Sequence, residues 1–192
     1  MEFAAFLNHL RTEYVIQFEG TYEQQKTQYE ELHPEIAFEV SGTAFKHLYV
    51  VDFLAKRAGK TGAIDVVPNE KAYAGGVSFS YAGMSVGFGR VSWDAMAFDL
   101  KPVPAQVDGF ETWFDKWMDL DGQGYVEGTH YSEIIHSATL TKGHVEVDFG
   151  TAPIGALTSL LRLFSEDGVR EVEVSTSRTQ SVPGSVIRRD GL

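Results

Sequence analysis

The 192-residue chain contains no cysteine. That excludes disulfides, thiolate catalysis and cysteine-ligated zinc or iron–sulfur centres. No apolar run approaches the roughly 20 residues of a membrane-spanning helix. Positive charge is also scarce: 16 Lys and Arg face 27 Asp and Glu, a formal net charge of −11. Nucleic-acid backbones and anionic membranes are held by clustered Lys and Arg, so neither is expected as a partner. A basic protein partner suits this balance. The usual catalytic signatures are missing too, with no nucleophile elbow, Walker loop or Rossmann glycine fingerprint. The nearest approach, Gly87-Phe88-Gly89-Arg90, falls in a hairpin pattern and not between a strand and a helix. Met1 to His9 has no basic leader. The expectation is a cytoplasmic protein without a cofactor, and nothing in the pattern assigns an oligomeric state.

Hydrophobic residues make up 43% and charged residues 22%, a composition that can bury a sizeable core. The clearest pattern runs from His144 to Val174. His144-Val145-Glu146-Val147-Asp148-Phe149 alternates polar and apolar, as a strand with one buried face does. Thr151 is a candidate N-cap, and Pro153 suits the first turn of a helix. Ile154, Leu157, Leu160, Leu161 and Phe164 then form one helical stripe, and Gly168 can close it in a left-handed conformation. Val169 to Ser175 alternates again. This strand–helix–strand predicts a crossover between parallel strands. It leaves His144, Glu146, Asp148, Glu171 and Glu173 on the face away from the helix.

Upstream, residues 2–12 read as a short helix, Tyr14 to Phe18 as a strand or an extension of that helix, and 21–32 as a polar helix ended by His33-Pro34. Ile36 to Val40 reads as a strand, 44–58 as an apolar helix and Ala63 to Val67 as another strand. Gly-Thr-Ala occurs at 42–44 and again at 150–152. Residues 1–68 and 109–175 are therefore candidate copies of one helix–strand–strand–helix–strand unit, with chance recurrence as the alternative. Between them, 76–100 alternates as a β-hairpin or meander turning at Ala82-Gly83, with Gly87 and Gly89 marking a bulge or a close approach. Residues 177–192 read as a polar tail.

Three stretches carry candidate chemistry. Asp119-Leu120-Asp121-Gly122-Gln123-Gly124-Tyr125-Val126-Glu127 resembles the calcium loop of an EF-hand, with oxygen ligands implied at Asp119, Asp121 and Gln123. His130 stands where that loop carries its bidentate glutamate, and a polar glycine-rich turn accounts for the same residues. His130, Glu133 and His136, together with His144, Glu146 and Asp148, could ligate a divalent metal or form an acid/base pair, although any half-exposed strand alternates in this way. Phe110, Trp113, Phe114 and Trp117 form an aromatic helix face. Helical spacing favours core, and Trp113 and Trp117 are the candidate binding residues if it is exposed.

The expected fold is α+β over residues 1–176: a mixed, mostly antiparallel sheet with helices mainly on one face. Three functions follow in order. The first is a non-enzymatic protein-binding module of immunity or inhibitor type, with an acidic surface for a basic partner. The second is a small-molecule-binding protein with an aromatic-lined pocket between the halves, bordered by Gly87 and Gly89. The third is a metal-dependent hydrolase.

Overall fold

One long helix, α1 (Phe3–Gln25), replaces the three short pieces expected over residues 2–32. Leu10, Tyr14, Phe18 and Tyr22 recur every fourth residue and hold a single stripe against the core. The β-branched pair Val15-Ile16 lies off that stripe, with Ile16 60% exposed. Gly20 meets nothing within 4 Å and is carried by tertiary packing on either side. A computed structural model describes residues 1–39, 48–66, 75–119, 121–123, 128–176 and 186–190, with residues 48 and 186–190 described by backbone alone.

After α1 come β1 (Glu31–Glu39), β2 (Leu48–Arg57), β3 (Lys60–Val66), β4 (Val77–Tyr81), β5 (Met84–Phe88) and β6 (Met96–Lys101). Then follow α2 (Phe110–Met118), β7 (Ser137–Thr141), β8 (His144–Asp148), α3 (Ile154–Glu166), β9 (Glu171–Thr176) and β10 (Val186–Asp190). They form a two-layer α+β fold with two mostly antiparallel sheets. One sheet has the order β1-β2-β3-β10 and is wholly antiparallel; the other has the order β4-β5-β9-β6-β8-β7, with β5 and β9 its one parallel pair of neighbours.

Of the segment read as an apolar helix over 44–58, Leu48–Arg57 is the strand β2 and Ala58 lies in the turn after it. β2 lies between β1 and β3, and Val50, Val51, Asp52, Phe53 and Ala55 are all buried. A strand buried on both faces loses its alternation and reads like a buried helix. Among the described residues the first half shows no helix at the place a duplicated unit requires, and the repeat is not confirmed. Gly42, Thr43 and Ala44 lie outside the described residues. The expected tail also contributes structure, because Val186–Asp190 forms β10 on β3.

The 144–176 pattern holds. β8 and β9 are both antiparallel to β6, which lies between them, so α3 joins parallel strands that are not neighbours. Pro153, not Thr151, is the N-cap of α3. Gly168 takes φ +84° and closes the helix, with the Gly168 and Val169 N–H groups donating to Ser165 and Phe164. The β4–β5 hairpin turns at Ala82-Gly83 as expected, both at positive φ. α1 spans about 35 Å at 1.5 Å per residue. Phe3 and Phe6 at its start meet Phe79 and Phe88 of the six-stranded sheet. Phe18 and Tyr22 near its end meet Phe53 of the four-stranded sheet.

Candidate functional site

Of the five polar residues expected on one sheet face, His144, Glu146, Glu171 and Glu173 share it, while the Asp148 carboxyl joins the buried network around His136. Register sets Lys101 beside Glu171, Asp99 beside Glu173 on one side and His144 on the other, and Ala97 beside Glu146. Alternation along β6, β8 and β9 turns Val145, Val147, Val172 and Val174 into the core and leaves the carboxylates facing away from it. Asp99 is the member that the sequence reading missed. His144 donates from Nδ1 to Asp99 at 2.7 Å and from Nε2 to Glu146 at 3.2 Å. The hydrogen bond to Asp99 chiefly raises the His144 pKa, against a smaller opposing effect of burial. Lys101 pairs with Glu171 at 2.6 Å, an exposed contact worth little by itself.

Gly87 lies on this face, and its bare Cα makes room for Glu173: a Cβ there would fall 2.7 Å from the Glu173 carboxylate. Gly87 therefore borders a packed polar surface, and a Cβ at Gly89 would meet the Val174 carbonyl at 3.7 Å. The aromatic face of α2 turns inward. Trp113 is 5% exposed and its Nε1 donates to the Ala156 carbonyl of α3, so it belongs to the core and offers no binding surface. Trp117 is partly buried on α3 over Gly155 and donates to Ser159 Oγ at 3.1 Å.

The histidines do not converge. His130 stacks on Tyr22 with ring centroids 3.9 Å apart, and Glu133 takes Arg11 at 2.9 Å. Of the EF-hand-like stretch, Asp119, Asp121 and Gln123 are described and make a turn in which Gly122 N–H donates to the Asp119 carbonyl. Leu120 and 124–127 lie outside the described residues. Among the described residues no three His, Asp or Glu side chains are arranged to hold a metal.

His136 instead sits at the centre of a buried charged network, 1% exposed. Its Nε2 donates to Glu35 Oε1 and its Nδ1 to Asp52 Oδ1, each at 3.0 Å. The Thr151 hydroxyl and the Ser132 N–H also donate to Glu35, and the Tyr14 hydroxyl and the Val66 N–H to Asp52. Asp148 lies 3.9 Å from His136 Nδ1 and accepts from the Gly150 N–H. Burial alone would lower the His136 pKa, but the bonds to Asp52 and Glu35 outweigh it and hold the ring charged well above its usual range. Asp148 is pushed up to about 7, mainly by burial of its carboxyl, although 31% of the side chain meets solvent. Burial and Asp52 also raise Tyr14.

Local backbone geometry builds this network. In the β1–β2 ladder Pro34 pairs with Phe53 and Ile36 with Val51, while Glu35 between them takes φ +49°. Such a left-handed non-glycine residue costs about 1–3 kcal/mol and persists where its surroundings hold it. Gly150, at φ +47°, lies against the His136 ring. Arg11 of α1 donates to the Thr151 and Ala152 carbonyls and clamps the β8–α3 connection. Glu35, Asp52, Tyr14, Thr151 and Arg11 escaped the sequence reading. The one available signal was Asp52, a charge in the middle of the apolar run Tyr49–Ala55.

No family model, curated protein or solved structure matches the chain.

Proposed function

We propose that the protein is a non-enzymatic binding module that holds a basic protein on the open face of its six-stranded sheet. One observation carries the reading. Asp99, Glu146, Glu171 and Glu173 stand in register on three adjacent strands, with Lys101 as the lysine among them. On a chain of net charge −11, such a face steers a positively charged partner and repels an acidic one. A rigid sheet also presents its charges with little entropy left to lose on binding. The buried network argues against His136 as a catalytic base, since both ring nitrogens already hold carboxylates.

The test is capture of basic proteins from source-cell extract on immobilised protein, followed by carboxyl-directed cross-linking. Glu146→Lys combined with Glu173→Lys should abolish capture while leaving the melting temperature in place, and cross-links should map to β6, β8 and β9. Captured proteins that survive the double reversal, or cross-links that map elsewhere, refute the assignment. Raising the salt concentration should weaken a genuine complex.

A further inference from the structure

The end of the four-stranded sheet beyond α1 has the opposite character from the open face. A groove of about 420 Å³ lies there, lined by Tyr29, Ala55, Arg57, Lys60, Thr61 and Ile64 among others. β2 and β3 meet at this end, and the ladder places Arg57 directly across from Lys60. Like charges paired across strands repel unless a negative group lies between them. The adjacent Lys56 is neutralised by Glu31 at 2.8 Å. Arg57 and Lys60 have no ion-pair partner among the described residues.

The groove wall is tied down. Glu30 Oε1 accepts from the Ala58 N–H at 3.1 Å, and the Glu30 N–H donates to the Lys56 carbonyl at 2.9 Å. These bonds hold the segment carrying Tyr29 against the hairpin and engage the carboxylate bonded to this turn. Ala55 and Ile64 are buried and give the floor an apolar surface. β10 adds Arg188, Arg189 and Asp190 in register beside Ile64, Ala63 and Gly62.

We propose that this groove is a binding site for a small organic anion, a phosphate or carboxylate carried on a planar apolar body. Arg57 offers a forked guanidinium, Lys60 a point charge and Thr61 a hydroxyl to the anionic end. Ala55, Ile64 and Tyr29 receive the body. Small-ligand sites commonly combine apolar walls with a few placed polar groups in this way. The site is separate from the acidic face and stands whether or not that face binds a protein.

Amide resonances of the full chain should be followed on titration with phenyl phosphate, benzoate, inorganic phosphate and phenol. Phenyl phosphate or benzoate should move Tyr29 and Lys60 to Ala63 saturably, and the stronger of the two identifies the anionic group. Phenol and inorganic phosphate should each bind more weakly. Arg57→Ser with Lys60→Ser should weaken binding by at least about tenfold with the melting temperature unchanged. If the double variant does not fold, Arg57→Gln alone must still weaken binding. The proposal is overturned if no saturable shift occurs, if shifts centre elsewhere, if phenol binds as tightly, or if the substitutions leave affinity unchanged.

Discussion

Gly150→Ala tests whether the buried network is held by contact as well as by charge. A Cβ at position 150 would fall 2.6 Å from His136 Cγ and closer still to Cδ2 and Nε2. The ring cannot simply swing away, because Glu35 and Asp52 hold its two nitrogens. At φ +47° the alanine first pays a left-handed penalty of about 1–2 kcal/mol. Displacing the ring then breaks at least one buried charged bond, a loss of about 3–5 kcal/mol when a charge is left uncompensated. The sum is about 4–7 kcal/mol, a large part of the roughly 5–15 kcal/mol that holds a domain together. Urea unfolding followed by tryptophan fluorescence measures it. Gly83→Ala is the control, since Gly83 also has positive φ, +79°, but meets nothing within 4 Å. It should lose only the backbone penalty. Equal losses for the two variants would refute the reasoning.

Other expectations follow from the same geometry. Leu160→Ala, fully buried in α3, should cost about 2–5 kcal/mol, and an unchanged melting temperature would contradict its placement under the sheet. Gly20→Ala, in the interior of α1 with open space around it, should gain up to about 1 kcal/mol in a thermal melt, and a loss would show that the helix breaks there. The network also sets a pH dependence. His136 has its folded pKa raised, so its contribution is full below the unfolded value near 6.5 and is lost as pH climbs through the folded value. Asp148, raised to about 7, acts in the same direction, losing stability between its unfolded value near 3.8 and 7. The urea midpoint should therefore fall from pH 6 to pH 9, and His136→Asn should flatten that slope. A flat wild-type profile would sink the assignment of charge to the ring.

The second half of the chain was more legible than the first, for a physical reason. β8, α3 and β9 each bury one face, so their periodicity survives in the sequence, and the open acidic face could be read from the alternation of β8 and β9. β2 buries both faces, which erased the period and produced a helix where a strand runs. α1 looked broken because the β-branched pair Val15-Ile16 and Gly20 interrupt the pattern, with Ile16 and Gly20 exposed, while the stripe that decides the matter faces the core. The His136 network could not be read locally. Its members are 14, 35, 52, 136, 148 and 151, brought together by the gap in the β1–β2 ladder and by the meeting of the two sheets.

The reach of α1 has a consequence for biosynthesis. Its partners are spread along the chain: Phe18 and Tyr22 meet Phe53, Phe3 and Phe6 meet Phe79 and Phe88, and Arg11 is bonded to carbonyls 140 and 141 residues later. The apolar stripe of α1 therefore meets β2, β4 and β5 before the β8–α3 connection that Arg11 clamps has been made. A free helix of this length is marginal in water, and such a stripe is sticky until it is covered. The stripe gains its first ring partner at residue 53, and the Arg11 clamp waits for residues 151 and 152. Nascent chains stopped before residue 150 should lack this clamp and leave the segment more open to protease than the full chain does. Release of α3 and β9 should close it in one late step.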